Sequence, residues 1–250
     1  MSVISDYLIT GLSYVSRPAK RMLIRYSYQL SGKKGLEIGG PSAQFSLMGG
    51  VPVYLFAEQV DGVNFSNETV WEGSIREGQT YRYHTKTGHQ FIKEATDLTG
   101  IANDSYDFIL SCHSLEHVAN PLKAVKEWMR VLKTGGLLIL ILPDKRFTFD
   151  APRPYTTMEH LLNDLRSGVQ EDDTTHFEEI LKLNEPGFET SPASPEEREL
   201  ILRNNHQNRR AHHHVFSLEL VREMLEYSSC NVLYQKAQKP FHLITVARKM

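Results

Sequence analysis

The chain has 250 residues, 40% hydrophobic and 23% charged, with a formal net charge of −2. It is long enough for one large domain with a buried core, and the near balance of charge excludes the basic excess that nucleic-acid binding needs. No run of about 18 apolar residues is available to span a bilayer. Two cysteines, Cys112 and Cys230, without a Cys-x-x-Cys pair, make neither a disulfide framework nor a zinc motif and fit a reducing, cytoplasmic setting.

The start, "MSVISDYLITGLSYVSRPAKRMLIRY", has no basic stretch leading into a clean apolar run. It reads as a helical arm over residues 1–34, a lid or a homodimer contact, rather than a signal peptide or a membrane-surface helix. The cations Arg17, Lys20, Arg21, Arg25, Lys33 and Lys34, and the mostly acidic region 159–199, read as solvated helix faces. "KGLEIGG" is a buried strand ending in glycines, "VPVYLFA" a second strand, and "QFIKEATDL" a third, with an irregular stretch from Gly62 to Gly88 between them. "YDFILSC" is a fourth strand, apolar on both faces as a central parallel strand is. Asn120 caps a helix that opens on Pro121, carries Leu122, Val125, Met129 and Leu132 at helical spacing, and stops before Gly135 and Gly136. "LLILILP" is the fifth strand.

Three S/T-x-x-E capping boxes then predict three helices, opening at Thr156 to Glu159, Thr175 to Glu178 and Ser194 to Glu197, with "NEPGFETSPASP" as a loop before the last. Ser217 caps "LELVREML", and "NVLYQKA" with "HLITVARK" forms a closing antiparallel hairpin. Strands alternating with helices imply an α/β domain with a mostly parallel sheet. Both irregular stretches follow strands, on the edge where such sheets bind ligands.

In "GLEIGGPSA", Glu37 sits near the end of strand one and Gly39 and Gly40 let the backbone approach a nucleotide. Asp61, with Glu58 as competitor, stands where a carboxylate after strand two grips ribose hydroxyls, and Asp97 could accept a hydrogen bond from a base amine. "SCHSLEHV" places His113, Glu116 and His117 in the H-x-x-E-H order of inverted zinc peptidases. His113, however, leaves a buried strand, and Pro121 starts the helix only after His117. The two imidazoles do not share a helical face, so the zinc-hydrolase reading falls.

"GLEIGGPSA", "EATDL", the run from Tyr106 to Asp144 and "HVFSLELVREML" together resemble class I S-adenosylmethionine-dependent methyltransferases of the small-molecule type with a "LEH" motif. The resemblance covers roughly residues 35–144 and 212–248, and Pro41 and Ala43 stand where the family's loop has further glycines. It implies a Rossmann-like fold with seven strands in the order 3-2-1-4-5-7-6, divided into a cofactor-binding core over 35–143, a helical insertion over 144–211 and a closing helix and hairpin over 212–250. It implies S-adenosylmethionine as cofactor, with Glu37, Gly39 and Gly40 on its methionine part, Asp61 on the ribose, Asp97 and Leu98 on the adenine, and Ser111 and His113 facing the methyl group or the acceptor. The expected reaction is O-methylation of a small molecule or glycan. A base is needed for a hydroxyl acceptor, and His113, Asp144 and His214 are the candidates.

"NNHQNRRAHHHVFS" reads first as a polar loop, next as an anion-gripping surface using Arg209 and Arg210, and last as a divalent-metal site shared with Asp172, Asp173 or His176. The expected site set holds no metal ligand. Two rival readings are a noncatalytic partner subunit of the same fold and a different Rossmann-like nucleotide-dependent enzyme. The absence of G-x-G-x-x-G after strand one counts against the second.

Overall fold

In the computed structural model, residues 20–183 and 194–250 are described, together with Gly11. Most of the expected arm before Lys20 and most of the loop "NEPGFETSPASP" lie outside the described residues. In chain order the elements are α1 (Arg21–Gln29), β1 (Lys34–Ile38), α2 (Val53–Phe56), β2 (Gln59–Asn64), a small hairpin of β3 (Glu68–Thr69) and β4 (Gly73–Ser74), β5 (Gly78–Tyr83), β6 (Lys86–Ile92), β7 (Tyr106–Cys112), α3 (Pro121–Val131) and β8 (Leu132–Pro143). There follow α4 (Met158–Ser167), α5 (Phe177–Leu183), α6 (Pro195–Arg203), α7 (Asn205–Asn208), α8 (Leu218–Tyr227), β9 (Cys230–Gln238) and β10 (His242–Lys249).

The main sheet has eight strands in the order β5-β6-β2-β1-β7-β8-β10-β9. Without β5 this is the order 3-2-1-4-5-7-6 expected for a class I methyltransferase. β5 is an added edge strand, antiparallel to β6. Side-chain alternation divides the core into two layers. Ile109, Leu138, Leu140 and Leu142 pack with α3 and α8 on one face, whereas Phe108, Leu110, Ile139 and Ile141 pack with α1 and α2 on the other. Period-2 alternation therefore runs inside a segment whose residues are all apolar, as a strand covered on both faces requires.

Three expectations are corrected. "VPVYLFA" is not strand two. Its residues Val53 to Phe56 are all buried and close a single helical turn, with the Ala57 amide donating to the Val53 carbonyl at 2.9 Å. A short run that is apolar all round cannot be told from a buried helix by periodicity. Strand two is the more polar "QVDGVN", and the stretch expected to be irregular holds the end of that strand, the β3–β4 hairpin and the β5–β6 pair. In "QFIKEATDL" the strand ends at Ile92, so the carboxyl-end residues are Lys93, Glu94 and Ala95 rather than Asp97.

The caps were better guides. Asn120 accepts from the Lys123 amide, Ser217 from the Leu220 amide, and Ser194 with Glu197 makes the full reciprocal box. The Thr156 cap moves one residue on. Thr156 is bound instead to Val215 through both its amide and its hydroxyl, and Thr157 caps α4. Thr175 gives its hydroxyl to Asp173 at 2.6 Å.

Trp128 on α3 is fully buried, and its indole N–H donates to the Ala95 carbonyl at 3.0 Å, tying this helix to the segment after β6. Trp128→Ala is expected to lower unfolding free energy by about 3–5 kcal/mol. Urea titration measures it, and a loss below about 1 kcal/mol would contradict this packing.

Candidate active site

Glu37, the penultimate residue of β1, is fully buried. Its carboxyl accepts from the Tyr54 hydroxyl at 2.5 Å, the Tyr81 hydroxyl at 2.7 Å and the Ser42 amide at 2.9 Å. These partners come from α2, β5 and the turn after β1. Burial pushes the Glu37 carboxyl up to about 7, against the lowering effect of its three donors. The turn that follows is tight. Gly39 has φ +75°, and a Cβ there would stand 2.0 Å from the Ser114 hydroxyl oxygen, which only glycine avoids. Asn64 at the end of β2 donates to the Gly40 carbonyl at 3.0 Å and fixes the other side of the turn.

A cavity of about 550 Å³ opens beyond the carboxyl ends of β1, β2, β6 and β7. Ile38, Gly39 and Val63 line its floor, and Asn64, Phe65, Trp71 and Glu72 form one side with Lys93, Glu94 and Ala95. The opposite side carries His113, Ser114, Glu116, His117 and Val118, with Phe147 to Phe149, Glu171 and Arg209 from the insertion, and His212 just after it, closing over it. Four carboxylates (Glu72, Glu94, Glu116, Glu171) face two cations (Lys93, Arg209) in this lining. That acidic excess, with the aromatic faces of Phe65 and Trp71, suits a cationic nucleoside such as S-adenosylmethionine. Arg209 bridges Glu94 at 2.6 Å and Glu171 at 2.5 Å, so an ion-pair chain fastens the insertion to the end of β6. Burial pushes Glu171 up to about 7 despite this arginine.

The histidine wall has an internal order. Glu116 is fully buried, and neither carboxylate oxygen has a hydrogen-bond partner. His113 Nδ1 stands 3.5 Å and His117 Nε2 4.0 Å from its Oε1. Glu116, His117 and His212 each offer one ligand atom within 4.8 Å of the others, a grouping able to hold a divalent ion. His117 donates through Nδ1 to the Ala211 carbonyl at 3.1 Å, and His212 Nδ1 meets Asp150 Oδ2 at 2.5 Å. Burial, then the neighbouring His212, lowers His117 to about 4. Asp150 is itself held by Arg153, which is 1% exposed and also donates to Glu179 and to the carbonyls of His212 and His213.

Of the residues expected from sequence, Gly39 and His113 line the cavity, and Glu37 and Gly40 lie directly beneath. Ser111 is buried under the floor, its hydroxyl without a partner. Asp61 is misplaced by expectation. It sits in mid-strand, pairs in register with Leu36, and is saturated by Lys34 at 3.0 Å, Tyr106 at 2.8 Å, the His89 amide at 2.8 Å and Gln59 at 2.6 Å. Its competitor Glu58 is exposed just before β2. Asp97 is exposed on a separate surface depression, accepting from the amide and hydroxyl of Thr99, and Leu98 is in the core. Asp144 is ion-paired with Arg146 at 2.6 Å and does not line the cavity, and nor does His214, which donates to the Ala119 carbonyl at 3.1 Å. The sequence reading missed Asn64, Phe65, Glu94 and His212. The first three follow from correct strand ends. His212 depends on Asp150, far away in the chain, and no local pattern announces it.

Residues 44–140 match the family model described as a methyltransferase domain. The fold is also that of solved methyltransferases. An S-adenosylmethionine-dependent methyltransferase structure from Mesorhizobium loti is 12% identical, with 93% of this chain and 96% of that chain covered and a TM-score of 0.50. A Listeria monocytogenes structure assigned to the same enzyme class is 15% identical over 94% of this chain and 100% of that one, with a TM-score of 0.50. At such identities the likeness is one of fold. No curated protein matches the chain. Residues 44–140 thus carry a methyltransferase domain, and the fold is that of S-adenosylmethionine-dependent methyltransferases. The matched region stops within β8, so Asp150 and Arg209 of the insertion, and His212 just after it, lie outside it. Among the described residues no helix is long and apolar enough to cross a membrane.

Two outcomes are expected. Arg153→Met strands Asp150 in the interior and should cost about 3–5 kcal/mol by denaturant titration. Glu37 keeps its proton in the fold after the unfolded chain has lost it, so its contribution is complete below pH 4.5 and is lost as pH rises towards 7. Wild type should therefore lose up to about 3 kcal/mol relative to Glu37→Gln across that window. Parallel stability curves with no divergence would contradict the burial.

Proposed function

We propose that this methyltransferase acts on an oxygen of a small molecule or glycan, with His212 as the base that takes the acceptor's proton. The observation that carries the reading is the His212–Asp150 pair in the cavity wall. Asp150 occupies Nδ1 and leaves Nε2 as the proton acceptor, the arrangement that orients a catalytic imidazole. His113, on the same wall and hydrogen-bonded through Nε2 to His242 Nδ1 at 2.9 Å, is the residue that would position the acceptor. The acceptor lies between these imidazoles and the glycine turn, and Phe147, Phe149 and Phe241 exclude water from it.

S-adenosylmethionine supplies an electrophilic methyl group on a positively charged sulfur when bound. The chain's own residues then hold, shield and deprotonate. The Gly39–Gly40 turn, kept in place by Glu37, would hold the methionine part. Asn64 and Phe65 would take the ribose, and Glu94 with Ala95 the adenine. A cytoplasmic setting is in keeping with the two free, buried thiols, Cys112 and Cys230.

One observation favours a second reading. Glu116 is buried with neither oxygen in a hydrogen bond, and with His117 and His212 it could hold a divalent cation beside the acceptor hydroxyl. Activity destroyed by EDTA and restored by Mg²⁺ or Mn²⁺ would select it over the metal-free base.

Calorimetry with S-adenosylhomocysteine is the primary test. Wild type is expected to bind, Gly39→Val to lose binding, Glu94→Gln to weaken it and Asp97→Ala to leave it unchanged. Loss of binding in Asp97→Ala would overturn the cavity assignment. On a hydroxylated acceptor found by screening, His212→Ala is expected to retain cofactor binding but lower kcat by about 10²–10⁴-fold.

A further inference from the structure

A second histidine cluster stands outside the cavity, and the methyl-transfer reading does not use it. His160 on α4, His176 just before α5 and His214 in the segment leading to α8 bring their ligand atoms within 4.8 Å of one another. His160 Nε2 is 3.3 Å from His176 Nε2 and 3.3 Å from Asp164 Oδ2, and His214 Nε2 is 3.7 Å from the same carboxylate oxygen. A tetrahedral ion with bonds of 2.0–2.1 Å holds its ligand atoms roughly 3.3 Å apart. Asp173 and His213 form an overlapping triple through His176.

Hydrogen bonding among imidazoles alone does not account for the cluster. Asp164 Oδ2, His213 Nδ1 and His214 Nδ1 are buried without a hydrogen-bond partner, and the side chains of His213 and His214 are completely inaccessible. His214 donates through Nε2 to the Ala119 carbonyl at 3.1 Å, the outer-shell pattern that leaves its Nδ1 bare for an ion. His213 Nε2 instead accepts from the Asn205 side-chain amide at 3.1 Å and so keeps its proton on Nδ1.

The fold also gives such an ion something to do. α4 packs Leu161, with Met158, Leu162 and Leu165, onto the main core. Among the described residues the rest of the insertion has a hydrophobic cluster of Ile180, Leu202 and Ala211 with Phe177 against them, little apolar area to order α5 to α7. An ion here would tie α4, the approach to α5 and the segment before α8 to one point. His160, Asp164, His176 and His214 do not line the cavity, so the ion would be structural.

We propose that His160, His176 and His214, with Asp164 beside them, form a zinc site that fastens the insertion to the methyltransferase core. A set of three imidazoles is that of zinc rather than of magnesium or calcium.

The test uses full-length protein without a histidine tag, purified without chelator. Metal analysis is expected to find about one zinc per chain. After stripping, zinc added at a hundredfold excess over its dissociation constant should raise Tm by about 5–10 °C. His160→Ala and His176→Ala should lose the ion and the Tm response while keeping the circular-dichroism spectrum of the stripped wild type. His160 is partly exposed, so its variant is the safer to fold. His117→Ala, in the cavity, should keep both the ion and the Tm response. An absence of bound zinc together with no Tm response to Zn²⁺ or Co²⁺ would overturn the proposal. So would an ion that His117→Ala removes and His160→Ala leaves in place, because that ion belongs to the cavity. Neither readout depends on catalysis, so the site stands or falls apart from the choice of base.

Discussion

A single buried carboxyl joins the sheet of this protein to its cavity. Glu37 has no solvent to stabilise it, and burying such a group unpaired costs several kcal/mol or forces it to keep its proton. The two phenols and one amide that meet it are drawn from α2, from the edge strand β5 and from the turn after β1. Each of those elements is therefore placed by the same acceptor. The added strand is thus more than a sheet edge, since Tyr81 reaches from it to the carboxyl that positions the glycine turn.

On the far side of the cavity the fastening is ionic. Arg153 and Arg209 each satisfy two carboxylates, and Arg153 also takes two successive carbonyls. Charges that are paired and hydrogen-bonded can be buried, but removing one partner is expensive. The core is held by apolar layers on both faces of a mostly parallel sheet, and the insertion by α4 packed on that core and, beyond α4, by directional polar contacts over a small apolar cluster. Precision in the histidine wall follows from that difference, because a hydrogen-bonded guanidinium fixes orientation where a greasy contact fixes only proximity.

Much of the core was legible in the sequence. β7, α3, β8 and the closing hairpin carry strong period, cap and glycine signals, and the strand order followed from the family resemblance. Strand two was hidden because its residues are mixed in polarity and the apolar run before it folds as a helical turn. Asp61 looked like a ligand-binding acid because strand two was placed at "VPVYLFA", ahead of it, whereas it lies in the middle of the true strand. It is tolerated here through Lys34, Tyr106, Gln59 and a backbone amide, partners that sequence does not place beside it. Asp97 failed for a smaller reason, a strand end set a few residues too late. Such boundaries are the least reliable part of any reading from pattern.

His212, His213 and His214 have no regular secondary structure, yet consecutive rings serve opposite sides of one backbone. The first belongs to the cavity wall, and the next two to the cluster beneath α4 and α5. Irregular segments on the surface usually absorb insertions and deletions freely. This one has a reading frame. Adding or removing one residue ahead of it would present the wrong imidazole to Asp150 and shift the carbonyls away from Arg153, so the segment's length is as constrained as that of a central strand.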